Sequence, residues 1–135
     1  MSVLLSIKPK YIEEIENGSK LYEFRRVIFK QNISEIYVYA TAPIKQIVGK
    51  ICIDKIIEDT PKNLWSKFNQ NAGINKEDFF EYFSGKEKGY AIKIKCFESF
   101  EEPINPYQEN PKFVPPQSYA YIETILPMIT KNQSV

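Results

Sequence analysis

A chain of 135 residues and 15.8 kDa holds one hydrophobic core, because half of it would bury too little apolar surface to stand alone. Hydrophobic residues make up 43% and charged residues 26%, an ordinary globular balance that excludes collagen-like and disordered classes. The absence of histidine removes Ser-His-Asp and Cys-His catalysis, HExxH zinc sites and histidine acid–base chemistry together.

No apolar run approaches the roughly 18 residues of a spanning helix, and no basic segment leads into an apolar leader. The expectation is a single cytoplasmic domain over residues 1–135, with a polar tail at 130–135, no membrane association, no metal and no cofactor. The two cysteines, Cys52 and Cys96, cannot build a zinc site without histidine partners, and their apolar surroundings predict reduced core thiols. Residues 1–50 carry 8 basic and 5 acidic side chains, residues 51–102 carry 8 and 10, and residues 103–135 balance at 2 and 2. That is not the strongly basic composition of a bulk duplex-DNA binder, but it leaves room for a local anion site in the first fifty residues.

In chain order, Val3 to Ile7 reads as a short buried strand ended by Lys8-Pro9, a proline placed for the first turn of a helix. Tyr11, Ile12 and Ile15 recur at helical spacing, and Asn17-Gly18 stops that helix. Leu21 to Ile28 alternates and predicts a strand, with Tyr22, Phe24 and Ile28 facing one way and Leu21, Glu23, Arg25 and Val27 the other. Glu35 to Thr41 is a further strand, broken by Ala42-Pro43. Gln46 to Ile57 is a long one in which Gly49 signals a bulge or a close approach. Thr60-Pro61 opens a helix with Leu64, Trp65 and Phe68 inward. Asn75 with Asp78 makes a capping box for a second helix of aromatic face, Phe79 to Phe83, closed by Gly85. Gly89 to Phe100 alternates again. Five prolines between Glu101 and Pro116 predict a loop that is either wrapped on the body or mobile; Tyr107 and Phe113 favour wrapping. Gln117 to Ile129 reads as a short strand or helical turn ending at Pro127. Four or five strands, three short helices and no βαβ rhythm predict a small α+β or β-barrel domain, whose mouth is a usual ligand site.

The chemistry concentrates in Gly18-Ser19-Lys20-Leu21-Tyr22-Glu23-Phe24-Arg25-Arg26. A glycine turn delivers Lys20 to the start of a strand, and Glu23 and Arg25, two apart, share a face. Two cations and one carboxylate so placed either bind a phosphate, with Glu23 orienting the guanidinium or accepting from a base amine, or form a cross-strand salt-bridge cluster on a wet face. Ser6, Lys8 and Lys10 lie at a strand-to-helix junction, where free N–H groups and cations favour an anion. Tyr37, Tyr39 and Trp65 are either base-stacking platforms or core. Gln117 and Ser118 either reach a base edge or cap a following helix.

Gly18, Lys20, Glu23 and Arg25 match the G-x-K-x-x-E-x-R signature of ASCH domains, members of the PUA-like superfamily. Leu5-Ser6-Ile7-Lys8-Pro9 resembles the "SIKP" opening seen there. Tyr39-Ala40-Thr41-Ala42-Pro43 with Ile47-Val48-Gly49 resembles the "YASSP…IVG" strand pair. Gly89-Tyr90-Ala91-Ile92 looks like the late strand, and Pro115-Pro116-Gln117-Ser118-Tyr119 like the "PPQSF" segment. The resemblance runs from about residue 3 to about residue 122 and extends to the predicted transcriptional regulators with a PUA-like domain.

The resemblance implies an α+β fold, a PUA-like pseudo-β-barrel of five to six strands with about three short helices. It also implies an RNA- or nucleotide-binding module, non-catalytic and regulatory, linked to transcription or translation. The clustered charge and the motif series together make Ser6, Lys8, Lys20, Glu23, Arg25, Arg26, Tyr39, Gln117 and Ser118 the candidate nucleic-acid contacts. The alternative is a hydrolase of a modified nucleoside or small amide working through Lys20 and Glu23. One ASCH branch of N4-acetylcytidine amidohydrolases pairs the lysine with a threonine, replaced here by Glu23, and adds a glutamate that falls near Ala72; both departures count against that chemistry. A third reading is a protein partner docked on the Phe79–Phe83 helix and the proline-rich loop.

Overall fold

The computed structural model describes residues 2–121. Six strands form one mixed sheet in the order β2-β5-β4-β3-β1-β6, curled into a half-barrel. They are β1 (Ser2–Ile7), β2 (Tyr22–Arg25), β3 (Glu35–Ala40), β4 (Gln46–Asp59), β5 (Gly89–Ile104) and β6 (Ala120–Tyr121). Among the described residues four α-helices, where about three were expected, accompany them: α1 (Pro9–Glu16), α2 (Pro61–Phe68), α3 (Lys76–Tyr82) and α4 (Pro106–Glu109). β1 and β3 pair in parallel, so a crossover through α1 and β2 exists that the missing βαβ rhythm did not announce. Among the described residues no ladder joins β2 to β6, and no helix is long and apolar enough to cross a membrane.

β1 is buried on both faces. Val3, Leu5 and Ile7 enter the main core with Ile36, Val38, Ile51 and Ile92, while Leu4 joins Tyr39, Ile47, Ile104 and Phe113 on the other side. That alternation follows from the two-residue period of a strand covered on both faces. A third cluster, Phe24, Leu64, Ala72, Phe79, Phe83 and Ala91, seats α2 and α3 against β2 and β5.

The helix ends are those the sequence announces. Thr60 accepts from the Asn63 amide at 3.1 Å, Asn75 from the Asp78 amide at 2.8 Å, and Pro9 and Pro61 occupy first helical turns. Gly49 sits at a bulge, where an added Cβ would come within 2.4 Å of the Glu98 carbonyl oxygen.

Three expectations are corrected. β2 stops at Arg25 instead of running to Ile28, because its partner on β5 is used up at Tyr90, one residue after that strand begins. β5 continues through Pro103 to Ile104, and the proline is tolerated because the ladder to β4 jumps from Ser99 to Ile104 there. The proline-rich stretch is then ordered by α4 and by Tyr107 and Phe113, which pack on Tyr39. The cysteines are not core thiols: Cys52 is half-buried and Cys96 exposed, since Cys52 follows the fully buried Ile51 on a strand whose side chains alternate and so points away from the main core. Of the segment from Gln117 to Ile129, Ala120–Tyr121 form β6 against β1; residues 122–135, with the polar tail, lie outside the described residues.

Candidate functional site

A cavity of about 470 Å³ opens between α1, the end of β1, β2 and α3, within the ordinary size of small-molecule sites, about 300–1,000 Å³. Its charged wall begins with the turn at Gly18. The glycine takes φ +86°, a left-handed conformation that only glycine adopts without strain, and turns the chain from α1 into β2. The Lys20 amide then bonds the Glu14 carbonyl at 3.0 Å, and the Leu21 amide the Asn71 carbonyl at 2.9 Å.

Lys20 is 3% exposed. Its Nζ donates to the Ala72 carbonyl oxygen at 2.6 Å, stands 3.9 Å from Glu23 Oε1, and lies 5.2 Å from the ring centres of both Tyr11 and Phe24. Burial holds its pKa below the usual lysine value, a depression opposed by Glu23, reinforced by Arg25 and opposed again by Glu14. Gly73 (φ +64°) closes over the stem: a Cβ there would stand 2.5 Å from Lys20 Cβ.

Glu23 is buried, and Arg25 grips one of its oxygens twice, with Nη2 at 2.7 Å and Nε at 3.1 Å from Oε2. Nη2 also donates to the Ser6 carbonyl at 2.8 Å, tying β2 to β1. Among the described residues Arg25 Nη1 and Glu23 Oε1 make no hydrogen bond. Among the described residues no fully buried polar side-chain atom lacks a partner, and Glu23 and Arg25 both line the cavity. The trio is therefore not a salt-bridge cluster on a wet face. It is an inward-facing set of ammonium, carboxylate and guanidinium whose interactions are screened far less than surface pairs.

Five of the nine sequence-selected residues line this cavity: Ser6, Lys8, Lys20, Glu23 and Arg25. Arg26 sits at the rim, exposed, its guanidinium 4.9 Å over the ring of Tyr82, which does line the cavity. Tyr39 is elsewhere. It is 1% exposed, packed on Phe113 and bonded through its hydroxyl to that of Tyr107 at 3.0 Å, so neither ring face is open for stacking. Gln117 and Ser118 are exposed and outside the cavity lining. Trp65 packs on Phe79 and Phe80, and Phe79 and Phe83 are at most 2% exposed, so these two rings belong to the core, while Phe80 and Tyr82 are half-buried. The sequence reading missed Tyr11 as a cavity wall and the Ala72-Gly73 pair as the clamp on Lys20. A glycine after a helix is the only signal of the latter, and it reads equally as a helix stop. Among the described residues no group of three His, Cys, Asp or Glu is placed to hold a metal.

The family model described as a domain of unknown function (DUF365) matches residues 3–115. The chain is 31% identical over 123 residues to an ASCH domain-containing ribonuclease of Zymomonas mobilis, covering 88% of this chain and 82% of that protein. The crystal structure of ASCH from Zymomonas mobilis superimposes with a TM-score of 0.84 at 27% identity, covering 96% of this chain and 94% of that one. The N-terminal domain of Staphylothermus marinus McrB shares the fold alone, with a TM-score of 0.55 at 14% identity. The signature strand, the curled six-stranded sheet and a relative this similar over most of both chains place the protein in the ASCH domain family.

Proposed function

We propose that the cavity binds RNA, or a nucleotide-sized piece of it, as a non-catalytic module with a regulatory use linked to transcription or translation. The observation that carries this reading is the convergence of Lys20, Glu23 and Arg25 in one concave space. Lys20 Nζ and Arg25 Nη1 supply donors for a phosphate, Glu23 Oε1 accepts from a base amine, and Ser6, Lys8 and Arg26 extend the rim. Tyr11 and Tyr82 add aromatic walls suited to a base. The kinship to a protein named a ribonuclease supports RNA as the ligand class.

A fluorescent single-stranded RNA oligonucleotide titrated at several salt concentrations tests this. Lys20→Ala should weaken binding and flatten the salt dependence by about 0.7 in log–log slope per lost phosphate contact. Unchanged affinity and slope, with the fold intact by circular dichroism, would refute the assignment.

A second reading, RNA cleavage, is favoured by the same relative. Lys20, its pKa lowered by burial, is then the candidate base. Shortening of the oligonucleotide during the titration, abolished by Lys20→Ala, selects it over simple binding. The nucleoside or amide hydrolase is less supported: Glu23 Oε2 already accepts two hydrogen bonds from Arg25, and Ala72 offers Lys20 only a backbone carbonyl.

A further inference from the structure

Away from the cavity, Cys52 on β4 and Cys96 on β5 are directly opposed in an antiparallel ladder. Opposed residues in such a ladder have Cα atoms about 4.5–5.5 Å apart, inside the about 4.4–6.8 Å that a disulfide spans. Both cysteines are free thiols, Cys96 exposed and Cys52 half-buried. The neighbouring Cys96 thiol, ahead of burial, pushes the Cys52 thiol up. Glu35 lies opposite Cys52 on β3, and neither cysteine lines the cavity. Two thiols in bonding register, one of them open to solvent, have a chemistry that a buried packing pair lacks.

We infer that Cys52 and Cys96 form a dithiol modification site that a low-molecular-weight disulfide oxidises reversibly to an intramolecular disulfide. The Cys96 thiolate, the accessible one, attacks the reagent's S–S bond; a mixed disulfide forms at Cys96 and one reagent thiolate leaves. The Cys52 thiolate then attacks the Cys96 sulfur and expels the second reagent thiolate. In sum, two protein thiols and one reagent disulfide give one protein disulfide and two reagent thiols. The new bond closes a loop of roughly 45 residues that contains α2, α3 and the Ala72-Gly73 clamp. Oxidation therefore cross-links β4 to β5 without touching the cavity's charged groups.

The test treats the whole protein with oxidised glutathione and reads intact mass and thiol titration. The expected product is monomeric, two hydrogens lighter, free of glutathione and without titratable thiols, and dithiothreitol restores it. Cys52→Ser, which lacks the second thiol, should instead keep one glutathione on Cys96. Stable glutathione adducts on the unsubstituted protein, covalent dimers, or two thiols that stay free would each overturn the inference.

Discussion

Lys20 Nζ donates a 2.6 Å hydrogen bond to the carbonyl oxygen of Ala72, so a residue on the entry to β2 is clamped by a loop fifty-two positions along the chain. The ammonium is taken out of water, and its surroundings only partly repay the cost. A lysine whose pKa is depressed in the folded state costs stability fully below that folded value. The cost is relieved as pH rises through it toward the ordinary 10.5.

The first prediction follows from that sign. In denaturant titrations of the unsubstituted protein and Lys20→Met at increasing pH, the difference in unfolding free energy should move toward the unsubstituted protein between neutrality and pH 10.5. Tyrosine titrations are common to both chains and cancel. A difference that is flat with pH would mean that Lys20 is solvated.

Arg25 and Glu23 form the strongest pair of the site, at 2.7 Å with both side chains largely buried. Removing one partner leaves the other charge unmatched, at a cost of about 3–5 kcal/mol for fully buried pairs and less here. Arg25→Ala should therefore destabilise by about 2–3 kcal/mol, and adding Glu23→Gln should recover at least about 1 kcal/mol of it. Additive losses in this cycle would show that the two side chains are not coupled.

Gly73 holds a left-handed backbone with a Cβ position 2.5 Å from Lys20 Cβ and 2.7 Å from its Cγ. Gly73→Ala should cost about 1–3 kcal/mol and push the lysine stem aside. RNA affinity should then fall although no charge has changed. Circular dichroism melts and the same oligonucleotide titration check both halves; wild-type affinity in a folded Gly73→Ala protein would mean that the clamp does not position Lys20.

Ser6 serves two neighbours at once. Its carbonyl accepts from Arg25 and its hydroxyl donates to the Pro116 carbonyl at 2.8 Å, fastening the proline-rich segment across β1. Ser6→Ala should cost about 1 kcal/mol and speed proteolytic nicking between Ile104 and Pro116 relative to the rest of the chain. Equal cutting rates would show that Tyr107 and Phe113 alone hold the segment.

Local rules were sufficient for much of this molecule. Apolar periodicity located β1, α1, β3 and β4, and proline, threonine and asparagine at helix starts placed α1, α2 and α3, because those signals arise from hydrogen bonds and φ angles within a few residues. The motif from Gly18 to Arg25 likewise marked the site, since a glycine turn and alternating charges are written in consecutive positions. What periodicity could not supply was the side on which the charges fall. By alternation alone Glu23 and Arg25 belong to a solvent face; the packing of α1 and α3 around β2 turns that face inward, burying Glu23 and Lys20. Sequence alone thus determined the elements and the chemistry that one strand carries. The tertiary structure decided that this chemistry is enclosed, that Tyr39 belongs to the core, and that Ala72 and Gly73 govern Lys20. Those facts depend on contacts between segments far apart in the chain, for which no local pattern exists.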